Sequence, residues 1–274
     1  MSRIYNTDIA ADLEALKEMR VKAGLPREFK EVKERRTKYG EPAAYEAGLI
    51  PLDDVPDVLI PKDSIEDAIE ESHILQTLPM YHMHYTWRPV GFRYNQNGLG
   101  YCWTWSGTGC MMTCRALEDK DTVLLAPVSM GYLVGWGNRG NYLESYIKGA
   151  REDGVCSVPE GEDINSTNRS SNFWEQHKGT RKLYRLDKVW DVNTRSGDST
   201  TLQHCASILS YGRSIYIAYN WWGHALELAG LKMVNGVWQW IINNSHNEDD
   251  FIILTGSKAV PDEGYGFIST VLAE

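Results

Sequence analysis

A cysteine becomes a nucleophile as its thiolate, and a neighbouring imidazolium or a helix N-terminus is what favours that charge. The stretch YNQNGLGYCWTWSGTGC, residues 94–110, places Cys102 directly after a glycine-containing turn and at the expected first turn of a helix. The helix dipole favours a thiolate there. Gly107 and Gly109 weaken that helix, each by about 1 kcal/mol relative to alanine, and leave room for another element to pack close. A thiol nucleophile also needs a base, and the base needs a third group to hold it. Of the seven histidines, His224 has the most suggestive setting, because in WWGHALELAG it opens an alternating strand just after a glycine. A strand fixes a ring more rigidly than a loop does. Twenty residues later, in WIINNSHNED, Asn244 follows another strand and can accept the imidazole N–H. Gln96 lies six residues before Cys102, close enough in a folded-back turn to aim its amide at an oxyanion.

Such residues must be positioned by elements far apart in sequence. YLESYIKGAREDGV (142–155) sets Leu143, Tyr146, Ile147 and Ala150 on one helical face, with Gly154 as an end signal. From about residue 213 the pattern changes to short aromatic or alternating runs, SIYIAY, ALELAG, VWQWII and GYGFIST, punctuated by Gly and Asn. Helices first and strands later predict an α+β fold with two packed halves. All ten Trp lie at or after Trp87, and residues 1–80 carry 17 acids against 11 bases. We therefore expect two parts, an N-terminal arm over 1–80 and a main domain over 81–274. The arm reads as short helices and an extended strap. One helix falls at DSIEDAIEES, with Asp63 or Ser64 as its cap.

The net charge of −9 argues against nucleic acid as a partner, since phosphate binding wants a basic face. No apolar run approaches the length of a membrane span, and the charged first twenty residues lack the apolar centre of a signal peptide. Five Cys, an odd number, suggest reduced thiols and a cytoplasmic setting, or a particle assembled there. No cofactor or metal is expected. HMH (82–84) reads as surface residues, and CMMTC (110–114) as a packed helix face.

The run TWRPVGFRYNQNGLGYCWTWS (86–106) resembles the mature start and catalytic helix of papain-like cysteine peptidases, where Trp-Arg, Gln, Gly and Cys-Trp come in this order. GHALELAG resembles the segment carrying that family's catalytic His, WIINNSHNED its Asn-Ser segment, GNRGNYLESYIKGAREDGV its substrate loop and following helix, and DEGYGFIST its closing strand. The resemblance covers about residues 80–274. It implies a two-subdomain fold, a helical left half and an antiparallel, barrel-like right half, with the site in the cleft between them. It implies Cys102 as nucleophile, His224 as base and then acid, Asn244 as orienter, and Gln96 with the Cys102 N–H as oxyanion hole. It also implies substrate contacts from the Gly137–Gly140 loop, including Asn138, and from Trp103 and Gly223.

The implied activity is hydrolysis of peptide bonds in a peptide or protein substrate. A related reading keeps the thiol chemistry in a transferase or amidase. A different one is an inactive module with a binding or structural role in a large assembly such as a virus particle. The arm, Tyr101 and His246 favour this last reading, and the family pattern is departed from at three positions. Leu99 stands where the family has a disulfide Cys, Tyr101 where it has a small residue, with bulk enough to crowd the cleft, and His246 where it has a Trp shielding the His–Asn bond. The arm lacks the family's propeptide motif and is expected either to inhibit across the cleft or to dock a partner.

Overall fold

A computed structural model describes residues 59–86, 95–117, 123–133, 138–159, 161–168, 170, 172–174, 183–192, 194–246 and 251–272. The helices expected before residue 59, and Gly137, lie outside these residues. Among the described residues six α-helices pack around one antiparallel sheet. They are α1 (Ile65–Ile74), α2 (Pro79–Thr86), α3 (Cys102–Leu117), α4 (Pro127–Leu133), α5 (Leu143–Glu152) and α6 (Asp198–Ser210). The strands are β1 (Val155–Cys156), β2 (Leu183–Asp191), β3 (Ile215–Tyr219), β4 (His224–Val234), β5 (Val237–Asn243), β6 (Ile252–Thr255) and β7 (Glu263–Leu272). Their spatial order is β1-β2-β7-β3-β4-β5-β6, so β1 and β6 remain edges and the sheet stays open. The fold is α+β, as expected.

Alternation along the strands divides the interior into two cores. On β3, Tyr216 faces a core built with Trp103, Trp105, Tyr146 and Phe267. Its neighbours Ile215, Ile217 and Tyr219 face a second core with Ile208 and Leu209 of α6 and Leu226 and Leu228 of β4. Helix α3 runs through the first core, and every side chain from Trp103 to Arg115 is buried. Gly107 permits this, because a Cβ there would stand 2.5 Å from the Tyr146 ring of α5. Helix α5 buries Leu143, Tyr146, Ile147 and Ala150, the face read from the sequence. It ends at Gly154, whose φ of 85° suits glycine. β4 and β5 are joined through Asn235 and Gly236, with φ of 51° and 76°. Asn-Gly tolerates that left-handed pair, whose twist matches the strands.

The described part of the arm packs into the second core through Ile60, Ile65, Ile69 and Leu78. Gln203 of α6 donates to the Ile60 carbonyl at 2.9 Å, and the Ile60 N–H donates to Ser207 Oγ at 2.9 Å. Ser64 occupies the N-cap position of α1 but makes no capping bond. A 3-10 turn over Lys62–Ser64 leads into the helix instead. Among the described residues no helix is long and apolar enough to cross a membrane.

Candidate active site

Asn97 and Gly98 take φ of 50° and 72° and form a tight turn, closed by the Leu99 N–H donating to the Gln96 carbonyl at 2.9 Å. The turn brings the chain to Tyr101, whose carbonyl accepts from Thr104 and Trp105, and Cys102 becomes the first residue of α3. Gly100 abuts the Arg139 backbone, where a Cβ would come within 2.9 Å. The other four cysteines are buried, and Cys102 is half-buried. The Tyr101 phenol, suspected of crowding the cleft, is in the first core, against Gly131.

His224 opens β4 after Gly223, whose φ of 62° turns the chain out of the 220–223 loop. The ring is buried and its Nε2 lies 2.8 Å from Asn244 Oδ1. An amide oxygen only accepts, so Nε2 carries the proton. The Ser245 N–H donates to the same oxygen at 2.8 Å and fixes the Asn244 side chain. The Trp222 and His246 rings lie against the imidazole, with centroids 5.1 and 4.7 Å away. Trp222 and His246 thus give the imidazole an aromatic cover.

Cys102 and His224 line one cleft of about 480 Å³, together with Arg139, Gly140, Tyr142, Ala218, Gly223, Ala225 and Glu263. Gly140 and Gly223, expected to contact a substrate, are both part of this lining. Asn138 holds the loop, its Oδ1 accepting from the Gly100 N–H at 2.8 Å. Trp103 does the same from below, donating its indole N–H to the Arg139 carbonyl at 3.3 Å. Trp103 is fully buried and has no surface to offer a substrate.

Gln96 also departs from its expected pose. Its Nε2 donates to the Leu99 carbonyl at 2.5 Å, and its Oε1 accepts from Ser245 Oγ at 2.7 Å. A buried amide must satisfy its polar groups, and here the local backbone and Ser245 do so.

Burial pushes the Cys102 thiol up, against hydrogen bonds from the backbone N–H groups of Ala225, Trp103 and Cys102. A lone thiolate is thus disfavoured, and ionisation calls for an adjacent cation. In the cleft lining, burial and the neighbouring Glu144 carboxyl push Glu263 up to about 7.

Beneath the site, Glu227 is 1% exposed. Burial pushes it up to about 7, while Asn243 and Thr113, hydrogen-bonding to it, pull it down. The folded state therefore holds a proton that the unfolded chain releases from about pH 4.5 upward. Stability from this group is present below that pH, falls as pH rises to about 7, and is flat beyond. The loss amounts to about 3 kcal/mol. Urea unfolding at pH 5 and pH 8 should show the wild-type difference shrinking by about that much in Glu227→Gln. An unchanged difference would contradict the assignment.

Ser245, Trp222, Glu227 and Glu263 were not singled out from sequence. Glu227 alone left a signal, a carboxylate inside the alternating strand HALELAG.

With the geometry described, comparison with solved structures finds papain-like cysteine proteases. Digestive procathepsin L 3 from Tenebrio molitor larval midgut superposes with a TM-score of 0.50 at 13% identity, covering 96% of this chain and 94% of that one. The bromelain protease of Ananas comosus gives 0.48 at 15% identity over 67% of this chain and 98% of its own. Xylellain, a cysteine protease from Xylella fastidiosa, gives 0.46 at 13% over 66% and 84%. At these identities the likeness is one of fold, and the procathepsin superposition carries it. No protein-family model and no curated protein sequence matches the chain.

Proposed function

We propose that the protein is a papain-like cysteine peptidase that cleaves peptide bonds by acyl transfer. The observation that carries this reading is the cleft that joins Cys102, at the start of α3, to His224, whose Nε2 is tied to Asn244 at 2.8 Å. With Nε2 committed to Asn244, a proton moves on and off this ring at Nδ1. Transfer from Cys102 to Nδ1 makes the thiolate and the imidazolium together. The thiolate attacks the substrate carbonyl, and the backbone N–H groups at the start of α3, with the second Gln96 N–H, receive the oxyanion. The C–N bond breaks as His224 protonates the leaving amine. Water, deprotonated by His224, then releases the acyl group and restores the thiol.

Gly140 and its neighbours in the loop before α5 bind the extended substrate through their backbone. The described part of the arm packs into the second core, which favours a structural or docking role for residues 59–80 over inhibition. The inactive-module reading drew on the arm, on Tyr101, which stays in the core, and on His246, which leaves the His224–Asn244 bond intact; the packing of residues 59–80 does not decide between the two readings.

The test is hydrolysis of a fluorogenic peptide panel, with and without a thiol-blocking reagent. Inhibition by the reagent is expected, and hydrolysis that survives full Cys102 modification would sink the reading. The panel should also reveal a preference. Above about pH 7 Glu263 is ionised, so a basic side chain reaching it gains over an acidic one. The Arg-to-Glu ratio in kcat/KM should rise about fivefold between pH 6 and pH 8 and stay flat in Glu263→Gln. An equal rise in the variant would place the cause elsewhere.

A further inference from the structure

Strand β4, which opens with His224, turns Ala225 and Ala229 toward the core of α3, and Leu226 and Leu228 toward that of α6. Glu227 shares the α3 side. Its Oε1 accepts from the Thr113 hydroxyl at 2.9 Å, and its Oε2 from the Asn243 side-chain amide at 2.9 Å. Thr113 belongs to α3, the helix that begins at Cys102. Asn243 ends β5, pairs with Glu227 across the sheet, and directly precedes Asn244. One carboxylate therefore spans the three elements that carry Cys102, His224 and Asn244. Other polar ties fasten α3 to the sheet, among them Ser106 Oγ donating to the Ala225 carbonyl at 2.7 Å, Tyr216 Oη donating to the Trp103 carbonyl at 2.8 Å and Arg115 Nη1 donating to Thr270 Oγ1 at 3.5 Å. None of these three reaches β5.

A carboxyl group buried among neutral partners is a poor choice for stability, protonated or not, and a well-packed apolar side chain would serve the fold better. Where a chain breaks such a rule with no gain to the fold, a functional constraint is the usual reason. We infer that Glu227 is a positioning residue, which fixes the walls holding Cys102, His224 and Asn244 in one register through Thr113 and Asn243. This rests on the thiol chemistry proposed above.

The experiment compares the full chain with Glu227→Leu, Glu227→Gln and Thr113→Val. It reads kcat and KM on a fluorogenic peptide and the rate of Cys102 alkylation by iodoacetamide at pH 6. In Glu227→Leu, kcat should fall by about tenfold or more with KM within about twofold, and alkylation should slow in parallel. Glu227→Gln keeps the shape and one acceptor and should remain within about threefold of wild type. Thr113→Val loses one of the hydrogen-bonding partners, with Asn243, Ser214 and Cys110 retained, and should fall between them. A carboxylate that served folding alone would lower the unfolding temperature and leave kcat and alkylation of the folded protein untouched. That result in Glu227→Leu, or in Thr113→Val if the leucine variant does not fold, overturns the inference alone. A wild-type Cys102 that titrates as an ordinary thiol overturns it together with the reading beneath it.

Discussion

Replacing Cys102 with alanine is expected to lower kcat/KM by at least about 10³-fold while changing fold stability by less than about 1 kcal/mol. The sulfur would be the bond-forming atom, and the chain holds no substitute for it. Cys110, Cys114 and Cys205 are 0% exposed and Cys156 is 2% exposed, so none can meet a substrate. The structural cost is small because Cys102 sits half-buried at a helix start, and alanine keeps the helical backbone. Peptide turnover and thermal unfolding, measured on one preparation, separate the two effects. Activity retained at more than a few per cent would remove Cys102 from the mechanism.

The second large effect is expected in His224→Ala, which should also lose at least about 10³-fold in kcat/KM, since base and acid are both gone. The thiol should report this directly. Burial raises the Cys102 thiol, so without the imidazolium its thiolate is scarce at neutral pH. A more basic thiolate is intrinsically more nucleophilic, which offsets part of the loss. The net expectation is an alkylation rate lower by about tenfold or more at pH 6, with the difference closing as pH rises. Identical pH profiles in wild type and variant would mean that His224 does not set the state of Cys102.

The residues of the site were legible where their setting was local. Cys102 follows a turn written by Asn97 and Gly98, and His224 and Asn244 mark the ends of strands with clear alternation. Helix α5 followed from the spacing of Leu143, Tyr146, Ile147 and Ala150. What escaped depends on long-range contacts. Trp103 read as a substrate contact until α3 was seen to run through a core, where its indole ties down the 138–140 loop. Tyr101 read as an obstruction because nothing local announces that Gly131 leaves space for its ring. Ile60, Ile65 and Ile69 looked like part of a separate arm, and their partners in α6 lie more than a hundred residues away. Glu227 was visible as an oddity in its strand, but its role needs Thr113 and Asn243 on two other elements. The Gln96 amide was expected to face the cleft. Its commitment to Leu99 and Ser245 depends on how the turn meets the end of β5.

Selective labelling of Cys102 over the other thiols would not suffice as a test, because burial of those four explains it without any activation. The decisive measurement is the pH dependence of alkylation at Cys102 itself, followed by peptide mapping on the intact protein. An activated thiolate–imidazolium pair predicts a rate that stays nearly constant from about pH 8 down to about pH 5. An isolated, half-buried thiol predicts a rate falling about tenfold for each unit below pH 8. The first profile is what the proposed pairing of Cys102 with His224 requires, and the second would contradict the proposed peptidase mechanism.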